Sequence, residues 1–98
     1  MESLTETQKK YLRGKAHALK PVVMIGQHGM KDSIQEEISQ ALSFHQMIKV
    51  KIAGGEREAR QALIALILEK NHALLVQQIG HIAVIYKRNI KKASLFTD

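Results

Sequence analysis

KPVVMIGQHGMKDSI, residues 20–34, passes from a strand pattern to a helix pattern across four residues. Pro21 stops any helix before it and pushes Lys20 toward an extended backbone. Val22, Val23, Met24 and Ile25 are apolar at both parities, which suits a strand buried on both faces, as in a parallel pair. Asp32 or Ser33 then offers a helix cap, with Gln35 or Glu36 three residues on, and Ile34 opens an apolar stripe of helical period. Between the two elements stand Gly26, Gln27, His28 and Gly29. The two glycines either permit positive φ at a plain strand–helix connection, or keep Cβ atoms clear of a sugar-phosphate backbone that comes close. A strand followed at once by a helix is the first part of a strand–helix–strand unit, so a parallel pair with a right-handed crossover is expected.

Upstream, residues 6–19 read as a helix. Thr5 with Gln8 fits a capping box, as does Ser3 with Glu6. Leu12, Ala16 and Leu19 share one stripe, and Lys9, Lys10, Arg13 and Lys20 lie mostly off it. Gly14 costs about 1 kcal/mol against Ala inside a helix, and leaves room for close packing or for a ligand. Downstream, a helix from Asp32 to Phe44 carries Ile34, Ile38, Ala41 and Leu42 inward. MIKVKIA, residues 47–53, alternates: Ile48, Val50 and Ile52 face one side, Lys49 and Lys51 the other. Gly54-Gly55 breaks this strand. A third helix over 56–70 places Ala59, Leu63, Leu66 and Ile67 inward. ALLVQQI (73–79) and IAVIYK (82–87) are strands joined by Gly80-His81, a hairpin with glycine where a type II′ turn needs it. The order is αβαβαββ: a single α/β domain with a mixed four-stranded sheet packed with helices. The pattern leaves strand order open. The end of the chain, NIKKASLFTD, is polar and basic and is expected to be loosely held.

Ninety-eight residues make one domain. The absence of cysteine excludes disulfides, thiolate metal sites and cysteine nucleophiles. The first ten residues carry no apolar signal core, and no apolar run approaches the ~20 residues of a membrane span. A cytoplasmic protein without membrane contact is expected. Lys and Arg number 15 against 9 Asp and Glu, which favours an acidic partner, nucleic acid first. The charge gathers at both ends of the chain, in Lys9, Lys10, Arg13, Lys15, Lys20 and Lys31, and again in Lys87, Arg88, Lys91 and Lys92. The two groups form one patch if the ends fold together. Only Tyr11, Phe44, Tyr86 and Phe96 are aromatic, too few for extensive base stacking, so backbone and shape should dominate any RNA contact. The five histidines lack metal-ligand spacing, and neither a G-x-S-x-G nor an H-E-x-x-H occurs. No enzyme, cofactor, metal or small-molecule substrate is expected, and no feature marks an oligomer, so a monomer is expected.

The glycine loop runs into a helix N-terminus with free N–H groups. Lys20 and Lys31 bracket it in sequence, and Gln27 and His28 offer hydrogen bonds at its tip. KH domains clamp nucleotide backbones with a Gly-x-x-Gly loop; theirs joins two helices, so the mechanism carries over and the fold does not. Lys49, Lys51 and the basic tail either extend this surface or are ordinary solvated positions. Arg57 and Arg60 are expected to pair with Glu56 or Glu58. His17 reads as a helix-end histidine.

LTETQKKYLRGKAHALKPVVMIGQHGM (4–30), EISQAL (37–42) and HQMIKVKI (45–52) together resemble the CRM domain, the chloroplast RNA splicing and ribosome maturation module, in its stand-alone bacterial form. The resemblance runs from Leu4 to Lys87. It is carried by R-G-x-A-H-x-L-K-P-V, the following I-G-x-x-G and the later I-K-V-K. It implies a fold similar to the C-terminal domain of translation initiation factor three, and binding to ribosomal RNA in precursors of the large ribosomal subunit. It also implies RNA contact through Gly26, Gln27, His28 and Gly29, through Lys9, Lys10, Arg13 and Lys15 on the first helix, and through the flanking Lys20 and Lys31. Residue 31 is Lys where the family pattern favours a capping Thr or Ser, which moves the expected helix start to Asp32. A ribosome-associated protein–protein adaptor, with only non-specific RNA contact, is the alternative.

Overall fold

A computed structural model describes residues 3–26 and 28–96. The elements follow the expected order: α1 Glu6–Ala16, β1 Pro21–Ile25, α2 Asp32–His45, β2 Met47–Ile52, α3 Arg57–Asn71, β3 Leu74–Ile79 and β4 Ile82–Tyr86. Thr5 caps α1 reciprocally. Gln8 N donates to Thr5 Oγ1 at 3.1 Å, and Thr5 N donates to Gln8 Oε1 at 2.9 Å. The helix stops at Ala16, short of Leu19, because His17 N and Leu19 N turn to carbonyls three residues back, at Gly14 and Ala16. α2 begins at Asp32 as expected, but Lys31 is its N-cap and makes no side-chain capping bond. Asp32 serves instead in the first turn, where its charge complements the helix dipole.

The sheet order is β1-β2-β4-β3. β1 and β2 are parallel, and β4 is antiparallel to both β2 and β3. The last strand therefore inserts between β2 and β3, which run in the same direction but are not paired. Gly80 has φ +56° and His81 is not left-handed, as a type II′ hairpin requires. This order leaves β1 at an edge. Val23 and Ile25 point into the core, but Val22 and Met24 are 47% and 59% exposed. The expectation of a strand buried on both faces is thus corrected: no described element covers the second face of β1.

α2 and α3 cover one face of the sheet, where Ile38, Leu42, Ile64 and Ile67 meet Val23, Ile25, Ile48, Val50 and Ile52. α1 covers part of the other, where Leu12 and Ala16 meet Met47, Val76, Val84 and Tyr86. The inward stripe of α3 is Ile64, Ile67 and Asn71; of the expected Ala59, Leu63, Leu66 and Ile67, Ile67 is buried and Leu63 packs half-buried against the core, while Leu66 and Ala59 are exposed. The run ALIALIL is apolar at nearly every position, so its period does not set its phase. Asn71 is buried, exchanges two side-chain hydrogen bonds with Gln35 of α2 and donates a third to Ile67 O.

As far as Phe96 the tail is not loose; Thr97 and Asp98 lie outside the described residues. Gln46 ends α2 in the left-handed region at φ +64° and is 2% exposed. Its amide holds the tail: Nε2 donates to Ala93 O at 2.8 Å, and Oε1 accepts from Arg88 Nη1 and Asn89 N. Phe96 packs on Tyr11 and Tyr86 with ring centroids 5.7 Å apart in both pairs. Leu95 and Phe96 close the core beneath α1.

Candidate nucleic-acid interface

The parallel register pairs Ile25 with Ile52, and Ala53 N donates to Ile25 O at 2.8 Å. The loops leaving β1 and β2 therefore lie side by side. In the first, Gly29 N donates to Gly26 O at 3.1 Å and closes a turn over residues 26–29. Gly29 sits at φ +72°, a conformation that accounts for its being glycine. Gly26 is different. Its φ is not positive, it is exposed, and a Cβ built on it meets no atom within 4 Å. Neither backbone nor packing asks for glycine there. His28 is exposed at the turn, and Lys31 is exposed where α2 starts. Gln27 lies outside the described residues.

The basic candidates separate into groups. Lys31 adjoins the turn, but Lys20 does not: it precedes β1 and the turn follows it, so the strand holds Lys20 and Gly26 about 20 Å apart. On α1, Lys10 and Lys15 are exposed, Lys15 lies 5.4 Å from the Tyr11 ring centre, and Lys9 faces Glu6 at 3.9 Å. Arg13 and His17 border a shallow depression with Lys49 of β2, Gln77, Ile79 and Ile82. One row nearer the glycine turn, the sheet carries Met24, Lys51, Ile82 and Ile79 side by side across its four strands. Lys49 and Lys51 thus step from α1 toward the turn on the face that α1 leaves open.

The C-terminal charges lie elsewhere. β4 ends beside Met47, at the end of the sheet away from the glycine turn. Arg88 donates to Gln46 Oε1, Asn89 O and Lys92 O, and the Lys92 ammonium sits 4.4 Å from the Phe44 ring centre. The described ends of the chain do fold together, through Tyr11 and Phe96, and the C-terminal charges stand at the far end of the sheet from the glycine loop.

The second loop, whose glycines in sequence only break a strand, joins the site through the fold. Gly54 and Gly55 both have φ +77° and stand opposite Gly26 and Gly29 across a cleft that Arg60 also lines. Arg60 donates to Gly55 O at 2.9 Å rather than pairing with a carboxylate. Among the described residues the one ion pair is Lys9 with Glu6. No group of three or more His, Asp or Glu among them could hold a metal ion, and no helix is long and apolar enough to cross a membrane.

Residues 4–87 match the model of the CRS1 / YhbY (CRM) domain. The chain is 46% identical over 87 residues to a Haemophilus influenzae protein named as RNA-binding, spanning 89% of this chain and 88% of that one. It is 34% identical over 86 residues to a Bacillus subtilis protein, YqeI, also named for RNA binding, spanning 88% and 90%. The solution structure of a Staphylococcus aureus protein described as a candidate RNA binder superposes with a TM-score of 0.76 at 32% identity, covering 88% of this chain and 90% of that one. Motif, fold and whole-length similarity agree, and the chain belongs to the CRS1/YhbY (CRM) domain family.

Proposed function

We propose that this protein binds structured ribosomal RNA in precursors of the large ribosomal subunit, in the cytoplasm, and acts in ribosome assembly without being an enzyme. The observation that carries the reading is Gly26, an exposed glycine with no internal reason to be glycine. A missing Cβ there serves a partner that comes close to the main chain. The adjoining turn supplies N–H groups, and Lys31 supplies charge. Gly14 supports the same reading on α1: it is exposed in a helix interior, and a Cβ built there also meets nothing within 4 Å. Lys10, Arg13 and Lys15 surround it in sequence, and Lys49 and Lys51 continue the surface toward the turn. Phosphate contacts of this kind position a protein rather than read sequence, so shape should govern selectivity. The names of the relatives support RNA as the partner.

Sedimentation of lysate through a sucrose gradient, comparing wild type with Gly26→Asp, tests this reading. Comigration of the wild type with large-subunit precursors, lost in the variant, is expected. A wild type that stays at the top of the gradient at low salt would overturn the ribosomal assignment. Exposed Val22, Met24 and Ile79 on the open sheet face favour a second reading, a ribosome-associated protein adaptor. In that case Gly26→Asp comigrates as well, while Met24→Asp does not.

A further inference from the structure

The two faces of the sheet are covered unequally. α2 and α3 close one face, while α1 alone packs on the other, over Met47, Val76, Val84 and Tyr86. The half of that face toward the glycine turn stays open. Met24 and Val22 at one edge of the sheet and Ile79 at the other are 59%, 47% and 64% exposed, with Lys49, Lys51 and Ile82 between them. Arg13 and His17 border the open half from the end of α1, at a depression of about 180 Å³. No strand carries an Asp or a Glu, and the lysines of this face have no carboxylate partner among the described residues. Large aliphatic side chains exposed together beside such cations mark an interaction surface.

We propose that this open half-face docks an amphipathic helix of a partner protein, with its apolar stripe on Met24, Ile82 and Ile79 and its acidic flanks on Lys49, Lys51 and Arg13. Charge complementarity selects the partner. The exposed aliphatic side chains ask for others like them, which neither phosphate nor ribose supplies. No aromatic ring stands on the open half for a base to stack on: Tyr11, Tyr86 and Phe96 cluster at α1, and Phe44 belongs to α2 on the other face. A second copy of this chain placed face to face would set lysine against lysine. From Met24 to Ile79 is three strand spacings, about 14 Å, the length of about ten helical residues. A helix of that length beside α1 completes the second layer over the sheet. Lys49 and Lys51 also belong to the proposed RNA surface, so the bound helix and RNA phosphates compete for them. The docking site goes beyond the RNA-binding reading and does not depend on it.

Fluorescence anisotropy with three labelled helical peptides tests this, with no RNA present. The first carries leucines at i, i+3, i+4 and i+7 flanked by glutamates. The second has the same composition with the stripe scrambled, and the third has lysine in place of each glutamate. The proteins are wild type and the double variant Met24→Gln with Ile79→Gln, both at exposed sites; thermal melting verifies the fold. Wild type should bind the striped acidic peptide about tenfold more tightly than either control, the size expected from burying one large aliphatic side chain. The double variant should lose that preference and keep wild-type affinity for a ribosomal RNA fragment. Equal binding of the three peptides by wild type, or a preference that survives in the double variant, overturns the docking site. An RNA affinity that falls in the double variant places RNA on this face and overturns it too, as does a wild-type dimer in sedimentation that the variant dissolves. Loss of RNA binding alone, as in Gly26→Asp, leaves the peptide result untouched, so the two readings fall separately.

Discussion

Substituting Gly26 by alanine separates a contact from a turn. A Cβ at this position meets nothing within 4 Å, and the backbone is not left-handed. The substitution should therefore stabilise the fold by about 0.4–1 kcal/mol, because alanine restricts the unfolded chain more than glycine does. For a chain of this length that is a rise in Tm of roughly 2–8 °C. RNA affinity should move the other way. If a phosphate oxygen accepts a hydrogen bond from the turn, a methyl group in its path removes a charge-assisted bond of about 1.5–3 kcal/mol, roughly ten- to hundredfold in Kd. Gly29→Ala cannot make this separation: at φ +72° a side chain costs about 1–2 kcal/mol in the fold itself. The assay pairs thermal melting with fluorescence anisotropy against a ribosomal RNA fragment at fixed salt. A Gly26→Ala protein that melts at or above the wild-type temperature and binds RNA with unchanged affinity would refute the argument that an external backbone explains this glycine.

Three further outcomes follow from named contacts. Lys49→Ala with Lys51→Ala should reduce the slope of log affinity against log salt by about 0.7–0.9 per lost phosphate contact, while Lys91→Ala with Lys92→Ala should leave it nearly unchanged; the reverse pattern in a salt titration places the RNA at the tail end of the sheet. Asn71→Ala leaves the Gln35 amide without its partner at a part-buried site and should cost about 1–3 kcal/mol in urea unfolding, with a loss under about 0.5 kcal/mol showing that the pair is dispensable. Phe96→Ala removes ring contacts to Tyr11 and Tyr86 and should lower stability by about 2 kcal/mol, below the cost for a fully buried phenylalanine, whereas an unchanged midpoint would return the tail to the loosely held state that its composition suggests.

Much of this protein is legible one segment at a time. The Thr5–Gln8 capping box, the extended start at Pro21, the two glycines before α2, the alternation of MIKVKI and the Gly80-His81 hairpin are each local events, governed by sterics and hydrogen bonds within a few residues. They suffice for the order αβαβαββ and for a mixed sheet, and the R-G-x-A-H-x-L-K-P-V and I-G-x-x-G motifs suffice for the family. Other features depend on which neighbour arrives, and no local period records that. The insertion of β4 between β2 and β3 makes β1 an edge and exposes Val22 and Met24, although their apolar character suggested burial. The phase of α3 is set by the sheet beneath it, since its own sequence is apolar nearly all round. Lys20 adjoins the glycine loop in sequence but stands a strand's length away. Gln46 draws a polar tail into order through a side-chain amide more than forty residues distant from its partners. The cleft itself exists only because two parallel strands end together, bringing Gly26 and Gly29 against Gly54, Gly55 and Arg60. Local chemistry chose the elements, and long-range packing chose which of their faces meet solvent, because burial belongs to pairs of surfaces and not to any one segment.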